Sequence, residues 1–176
     1  MRTSSIIAQR HTRGAAGLEF ALVGVPLLFV LISTFEMCRA MWAYQTLAFA
    51  VKEGTRYAVV HGQNCTMAPN TCTATISQIA SIIQSSGQGL ATDALTLTFT
   101  PSSGSATSCV LQDCLANYAT TAWPPGTANA PGEIVVISGV YRLTSALAMF
   151  WPGMRPVNGS PTSVSLTADA RESMQY

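Results

Sequence analysis

A chain of 176 residues with a formal net charge of +1 has room for one modest core and an anchor, and only 10% of its residues are charged, well below the roughly 25% of soluble globular proteins. A mean hydropathy of +0.31 leans the same way. The nine basic residues are dispersed, Lys52 being the one lysine among them, so the clustered positive face that phosphate backbones require is missing and nucleic acid is excluded as a partner.

Residues 1–14 carry Arg2, Arg10, Arg13 and His11 with no acidic side chain, and an apolar run covers residues 15–35. A run of about 20 apolar residues crosses a bilayer core, and the basic flank keeps the N-terminus on the cytoplasmic side. Everything beyond the run then lies outside. Glu19 sits one turn into this otherwise uncharged stretch, where an acid at the helix centre costs on the order of 2.5–3.5 kcal/mol, less near the end. It is either a snorkelling or protonated side chain, or one that awaits a cation. Pro26 removes one helix hydrogen bond, which membrane helices tolerate with a bend. Gly17 and Ala21 make a small-xxx-small step, a common spacing that suits close helix contact.

The string Gly14-Ala15-Ala16-Gly17-Leu18-Glu19-Phe20 resembles the prepilin peptidase site of type IV pilins: a glycine, a new N-terminal residue, glutamate at the fifth mature position and an aromatic after it. Cutting after Gly14 makes Ala15 the first residue. Cutting after Gly17, the competing glycine, would leave Glu19 second. With Pro26-Leu27-Leu28, Phe35-Glu36-Met37-Cys38-Arg39-Ala40 and Lys52-Glu53-Gly54-Thr55-Arg56-Tyr57-Ala58, about a third of the chain is similar to the TadE family of pseudopilins.

That resemblance implies a pilin-like minor subunit of a tight-adherence pilus or secretion machine. It implies a leader removed by prepilin peptidase, Glu19 and Phe20 used in subunit assembly, and partners in a TadF-like minor pilin, the major pilin, the inner-membrane assembly platform and membrane lipid. It places the chain in the bacterial inner membrane, single-pass with the C-terminal domain periplasmic, or in the assembled pilus. The chemistry is coherent. A freed α-amino group on Ala15 is cationic near neutral pH, and a neighbouring subunit's Glu19 would neutralise it and fix the axial register.

Past the membrane the helix is expected to continue over residues 36–57, with Met37, Met41, Tyr44, Leu47, Ala48 and Val51 recurring at helical spacing as a core stripe. Glu36 and Arg39 are spaced for an i,i+3 pair. After Gly62 the texture turns to Thr, Ser, Asn and Pro, a loop holding Cys65 and Cys72. Of the five cysteines, Cys38 stands apart near the end of the apolar run, leaving Cys65, Cys72, Cys109 and Cys114 as disulfide candidates. An oxidising compartment allows two bridges in three pairings, of which the local one, Cys65 with Cys72 and Cys109 with Cys114, is simplest. A metal site is the weaker reading, since neither pair has CxxC spacing and His61 is the one histidine past the anchor.

Thr75 caps an expected helix over residues 76–83 whose Ile76, Ile79, Ile82 and Ile83 share a face, with Gly87 ending it. Residues 95–99, 134–143 and 164–168 alternate with period two and predict at least three strands. Residues 101–132, rich in Ser, Gly, Thr, Pro and Ala, read as a long loop that is either functional or a stapled spacer. Ala148-Met149-Phe150-Trp151-Pro152 reads as an apolar turn, either core or contact patch. Asn64-Cys65-Thr66 and Asn158-Gly159-Ser160 match the glycosylation sequon, a frequent chance match.

The fold class is therefore α+β: a long N-terminal helix, transmembrane and then amphipathic, packed on a small antiparallel sheet. The domains are a basic leader at 1–14, the helix at 15–60 and an extracytoplasmic domain at 61–176. No spaced acid pair or histidine constellation marks an enzyme, and no cofactor or small-molecule substrate is expected. Two rivals remain. An uncleaved, single-span anchored surface binding or adhesion protein fits the same run. A secreted protein with an ordinary signal peptide fits poorly, because such a signal has an apolar core of about 7–15 residues and a nearby A-x-A-like site, whereas Ala48-Phe49-Ala50 lies far downstream.

Overall fold

The structure, a computed structural model, describes residues 12–62, 66–67, 70–145 and 163–175. Chain contacts divide it into two units, one ending at Cys38 and one running Arg39–Tyr176. Helix α1, Thr12–Val60, belongs to both. It continues through Pro26 without a break in helical structure, so the missing N–H of that proline is accommodated rather than terminating the helix.

In the second unit α1 is followed by the two-residue strands β1, Thr66–Met67, and β2, Asn70–Thr71, which pair antiparallel. Then come α2, Ile76–Ser86; β3, Leu95–Thr100; β4, Thr107–Val110; α3, Leu111–Asn117; a 3-10 turn at Gly126–Ala128; β5, Ile134–Thr144; and β6, Ser163–Ser173. The last four strands form one antiparallel sheet in the order β4-β3-β5-β6. The α+β layout and the strands expected from period-two alternation are thus present, with β4 added.

Helix α2 begins as its sequence dictates. The Thr75 hydroxyl accepts from Gln78 N, and Gln78 Oε1 accepts from Thr75 N at 3.0 Å, a reciprocal capping box. Gly87 closes it by donating from its N–H to Ile83 O. The buried residues are Ile76, Ile79, Ala80 and Ile83. Ile82, expected on that face, is half-exposed and Ala80 takes the place; a small side chain there lets the helix come closer to what it covers.

Along β3 and β5 alternate residues point inward: Leu95, Leu97 and Phe99 on one, Val135, Ile137, Gly139, Tyr141 and Leu143 on the other. Gly139 pairs with Leu97 on β3 and with Ala168 on β6. A Cβ at Gly139 would lie 2.9 Å from Val51 Cγ2 and 3.1 Å from Leu47 Cδ1, so α1 rests on the sheet where the sheet has no side chain. The contact face of α1 is Ala43, Leu47, Ala50, Val51, Gly54, Thr55, Ala58 and Val59, an i, i+3, i+4 pattern made mostly of small residues.

Two expectations are corrected here. Leu47 and Val51 are core and Ala48 half-buried, but Met37, Met41 and Tyr44 are exposed. The stripe drawn through the large side chains is rotated from the true face, because close approach to the sheet selects small ones. Residues 101–132 are also not one loop: they hold β4, α3 and the 3-10 turn. Leu111 and Cys114 anchor α3 in the core, two residues too few to announce a helix against a Ser- and Gly-rich background. The apolar turn at 148–152 and the sequon at Asn158 lie outside the described residues.

Candidate functional site: the anchor segment and its outer continuation

Apolar character runs on along α1 from Leu18, and the large apolar side chains of this stretch are exposed among the described residues. Leu18 is 69% exposed and Phe20 79%, and Leu22, Val23, Leu27, Leu28 and Val30 stand open likewise. Side chains of this kind in contact with water forfeit about 1.5–3 kcal/mol each relative to burial, so an apolar solvent or another protein has to take the water's place. By length and composition α1 is able to cross a membrane. Its two hydroxyls in this region turn inward on the helix itself: Ser33 Oγ donates to Phe29 O and Thr34 Oγ1 to Val30 O, both at 2.8 Å. Both hydroxyl protons are thereby satisfied within the helix itself.

Gly14 and Ala15 lie in the first turn of α1. Glu19 follows on the same helix, exposed, and among the described residues no cation forms an ion pair with it. Around it, an added Cβ at Gly17 would meet nothing within 4 Å, and one at Gly24 would meet only the Phe20 ring at 3.8 Å. The acid, the aromatic and the small residues therefore share an open surface.

The outer continuation gives a physical account of the segment Lys52-Glu53-Gly54-Thr55-Arg56-Tyr57-Ala58. Gly54, Thr55 and Ala58 face the core. A Cβ on Gly54 would stand 2.5 Å from Ile83 Cγ1 and 2.8 Å from Cδ1, so α1 and α2 touch through this glycine. Thr55 buries its hydroxyl by donating to Val51 O at 2.8 Å. On the water side Arg56 pairs with Glu53 at 3.1 Å, and Tyr57 stacks on His61 with ring centroids 4.2 Å apart. Gly54 and Gly139 were missed as packing residues by sequence periodicity; a glycine at helical spacing within a buried face was the available signal.

Of the cysteines, Cys109 and Cys114 are bonded, S–S 2.02 Å and Cα–Cα 5.5 Å, tying β4 to α3. Cys72 is disulfide-bonded, while Cys65 lies outside the described residues. Cys38 is free and exposed. At the end of β5, the Arg39 guanidinium donates to Thr144 O. Among the described residues no group of three His, Cys, Asp or Glu side chains is placed to hold a metal ion.

These features define a class: an α+β unit carried on one long apolar helix able to span a membrane. Within that class, residues 14–56 match the family model described as TadE-like protein. The match takes in Gly14, Ala15, Glu19, Phe20 and Pro26 and runs to Arg56, so the resemblance read from that stretch holds there. No curated protein and no solved structure matches the chain.

Proposed function

We propose that this protein is a minor pilin of a tight-adherence pilus, with a structural and not a catalytic role. In this reading prepilin peptidase hydrolyses the Gly14-Ala15 peptide bond on the cytoplasmic face, freeing the Ala15 amine and discarding residues 1–14. The anchor then moves from the bilayer into an assembly with the major pilin and a TadF-like subunit, through the inner-membrane platform, while residues 61–176 stay outside. The observation that carries the proposal is Glu19: a carboxylate on an open apolar helix that no cation pairs with among the described residues, placed four residues after the amine that cleavage would create. An ammonium from an adjoining subunit offsets its desolvation and sets one axial register.

N-terminal sequencing of the membrane form, from cells with and without prepilin peptidase, is the direct test. Ala15 as first residue only in the presence of the peptidase is the expected result. Met1 retained in both would favour the uncleaved anchored surface protein. Glu19→Ala is expected to leave membrane insertion intact and to lower incorporation into pili at least tenfold, with Glu19→Asp intermediate; unchanged incorporation of Glu19→Ala removes the register role.

A further inference from the structure

The two arms of the former loop, 101–107 and 121–127, enclose a pocket of about 290 Å³ in the outer unit. Its walls include Pro101 and Pro125, its rim Ser105, Thr107 and Thr121, and Trp123 lines it from within. The arms are clasped to each other, Ser103 Oγ donating to Thr127 O at 2.9 Å, and the second arm is held to the core by Trp123 N donating to Ala74 O at 3.0 Å.

Trp123 is only 3% exposed, and its ring meets Phe99 edge-on with centroids 5.3 Å apart. Its indole Nε1 is buried with no hydrogen-bond partner. Buried polar groups in folded proteins are nearly always satisfied, so a specific orphan calls for an acceptor. A bridging water needs only about 10–15 Å³, far less than this space, which approaches the lower end of small-ligand sites at roughly 300 Å³.

We propose that this pocket binds a neutral saccharide, one pyranose unit seated between the two arms. Among the described residues no charged side chain lines it, which disfavours phosphates, carboxylates and cations as ligands. Rim hydroxyls both donate and accept, matching a polyol, and the proline rings meet the apolar C–H face of the sugar. Trp123, buried and packed against Phe99, contributes its indole N–H as a donor to a sugar oxygen and not an open stacking face. Nε1 is covered in the unliganded fold, so the donor role requires the rim to yield as that oxygen seats. The site is independent of the assembly reading: it concerns the outer unit, and its failure leaves the cleavage and Glu19 tests untouched.

Saturation-transfer NMR on the detergent-solubilised full chain, titrated with glucose, galactose, mannose and N-acetylglucosamine, tests it. At least one sugar is expected to give saturable transfer. Trp123→Phe keeps the ring packed on Phe99 and removes the donor, weakening that sugar about tenfold. Thr121→Val, on the exposed rim, is expected to weaken it several-fold with an unchanged thermal midpoint, and it decides the matter should Trp123→Phe not fold. Absence of saturable transfer from all four sugars, wild-type affinity in Thr121→Val, or displacement of the sugar by an uncharged dipeptide amide at lower concentration overturns the proposal.

Discussion

Gly54 and Gly139 show how a missing side chain organises the outer unit. Alanine at Gly54 gains about 1 kcal/mol of helix propensity, yet its methyl would stand 2.5 Å from Ile83 Cγ1. Ile83 is fully buried and cannot swing into solvent, so overpacking of about 1–3 kcal/mol applies. Gly54→Ala is therefore expected to lower stability by about 1 kcal/mol in denaturant unfolding of the detergent-solubilised protein. In an Ile83→Ala background the same change is expected to stabilise instead, because the methyl then fills the space the isoleucine left; a penalty that persists there would mean that α1 and α2 do not meet at this glycine. At the start of α2, Thr75→Ala removes the side-chain acceptor of the capping box and is expected to cost about 1 kcal/mol. Thr75→Ser, which keeps the acceptor, is expected to stay within a few tenths of wild type, read by the same unfolding curves.

At the scale of elements, α1 changes from exposed to buried along its length. Its outer turns bury Leu47, Ala50 and Val51 while Met41 and Trp42 remain about half-exposed. Leu47→Ala is expected to destabilise by about 2–5 kcal/mol, as a large-to-small core change, whereas Met41→Ala is expected to stay within about 0.5 kcal/mol. Equal effects from the two would restore the stripe drawn through Met37, Met41 and Tyr44. This is also where reading from sequence reached its limit. The length of α1, the Thr75 cap and the alternation of β3, β5 and β6 were legible because each rests on a local period or a local hydrogen bond. The rotation of α1 about its axis was not, since hydrophobicity weights methionine and tyrosine above alanine and glycine, and the sheet selects for closeness. Strand β4 and helix α3 escaped for a related reason: Cys109, Leu111 and Cys114 supply their burial, and the pairing that holds β4, Leu97 opposite Cys109 and Thr98 opposite Ser108, is tertiary. Gly14, Ala15, Glu19 and Phe20 were legible as a motif of residue types, while Gly54 was legible only as part of a resemblance whose packing role the fold supplies.

On the scale of the whole molecule, the apolar helix and the bonded cysteines constrain one another. In the proposed topology a basic N-terminal flank holds residues 1–14 in the cytoplasm, and the outer unit is then delivered to the compartment where disulfides persist. The Cys109–Cys114 bond thus serves as a built-in reporter of orientation, and Cys38, free and exposed, as its internal reference. Alkylating the chain in denaturant without reductant is expected to modify Cys38 alone, and reduction first is expected to add the remaining thiols as discrete mass increments. Reversing the flank, with Arg2, Arg10 and Arg13 changed to Glu and three arginines placed after Cys38, opposes the charge bias and is expected to leave a fraction of the chain with its outer unit in the cytoplasm. In that fraction the thiols of Cys109 and Cys114 become alkylatable without reduction. Since the bond joins two buried positions, its absence is expected to lower the unit's stability by about 2 kcal/mol, so the misoriented form is also the more protease-sensitive one. A reduced pair in the unaltered chain would place the outer unit on the cytoplasmic side and reverse the proposed topology, whatever the peptidase does to the leader.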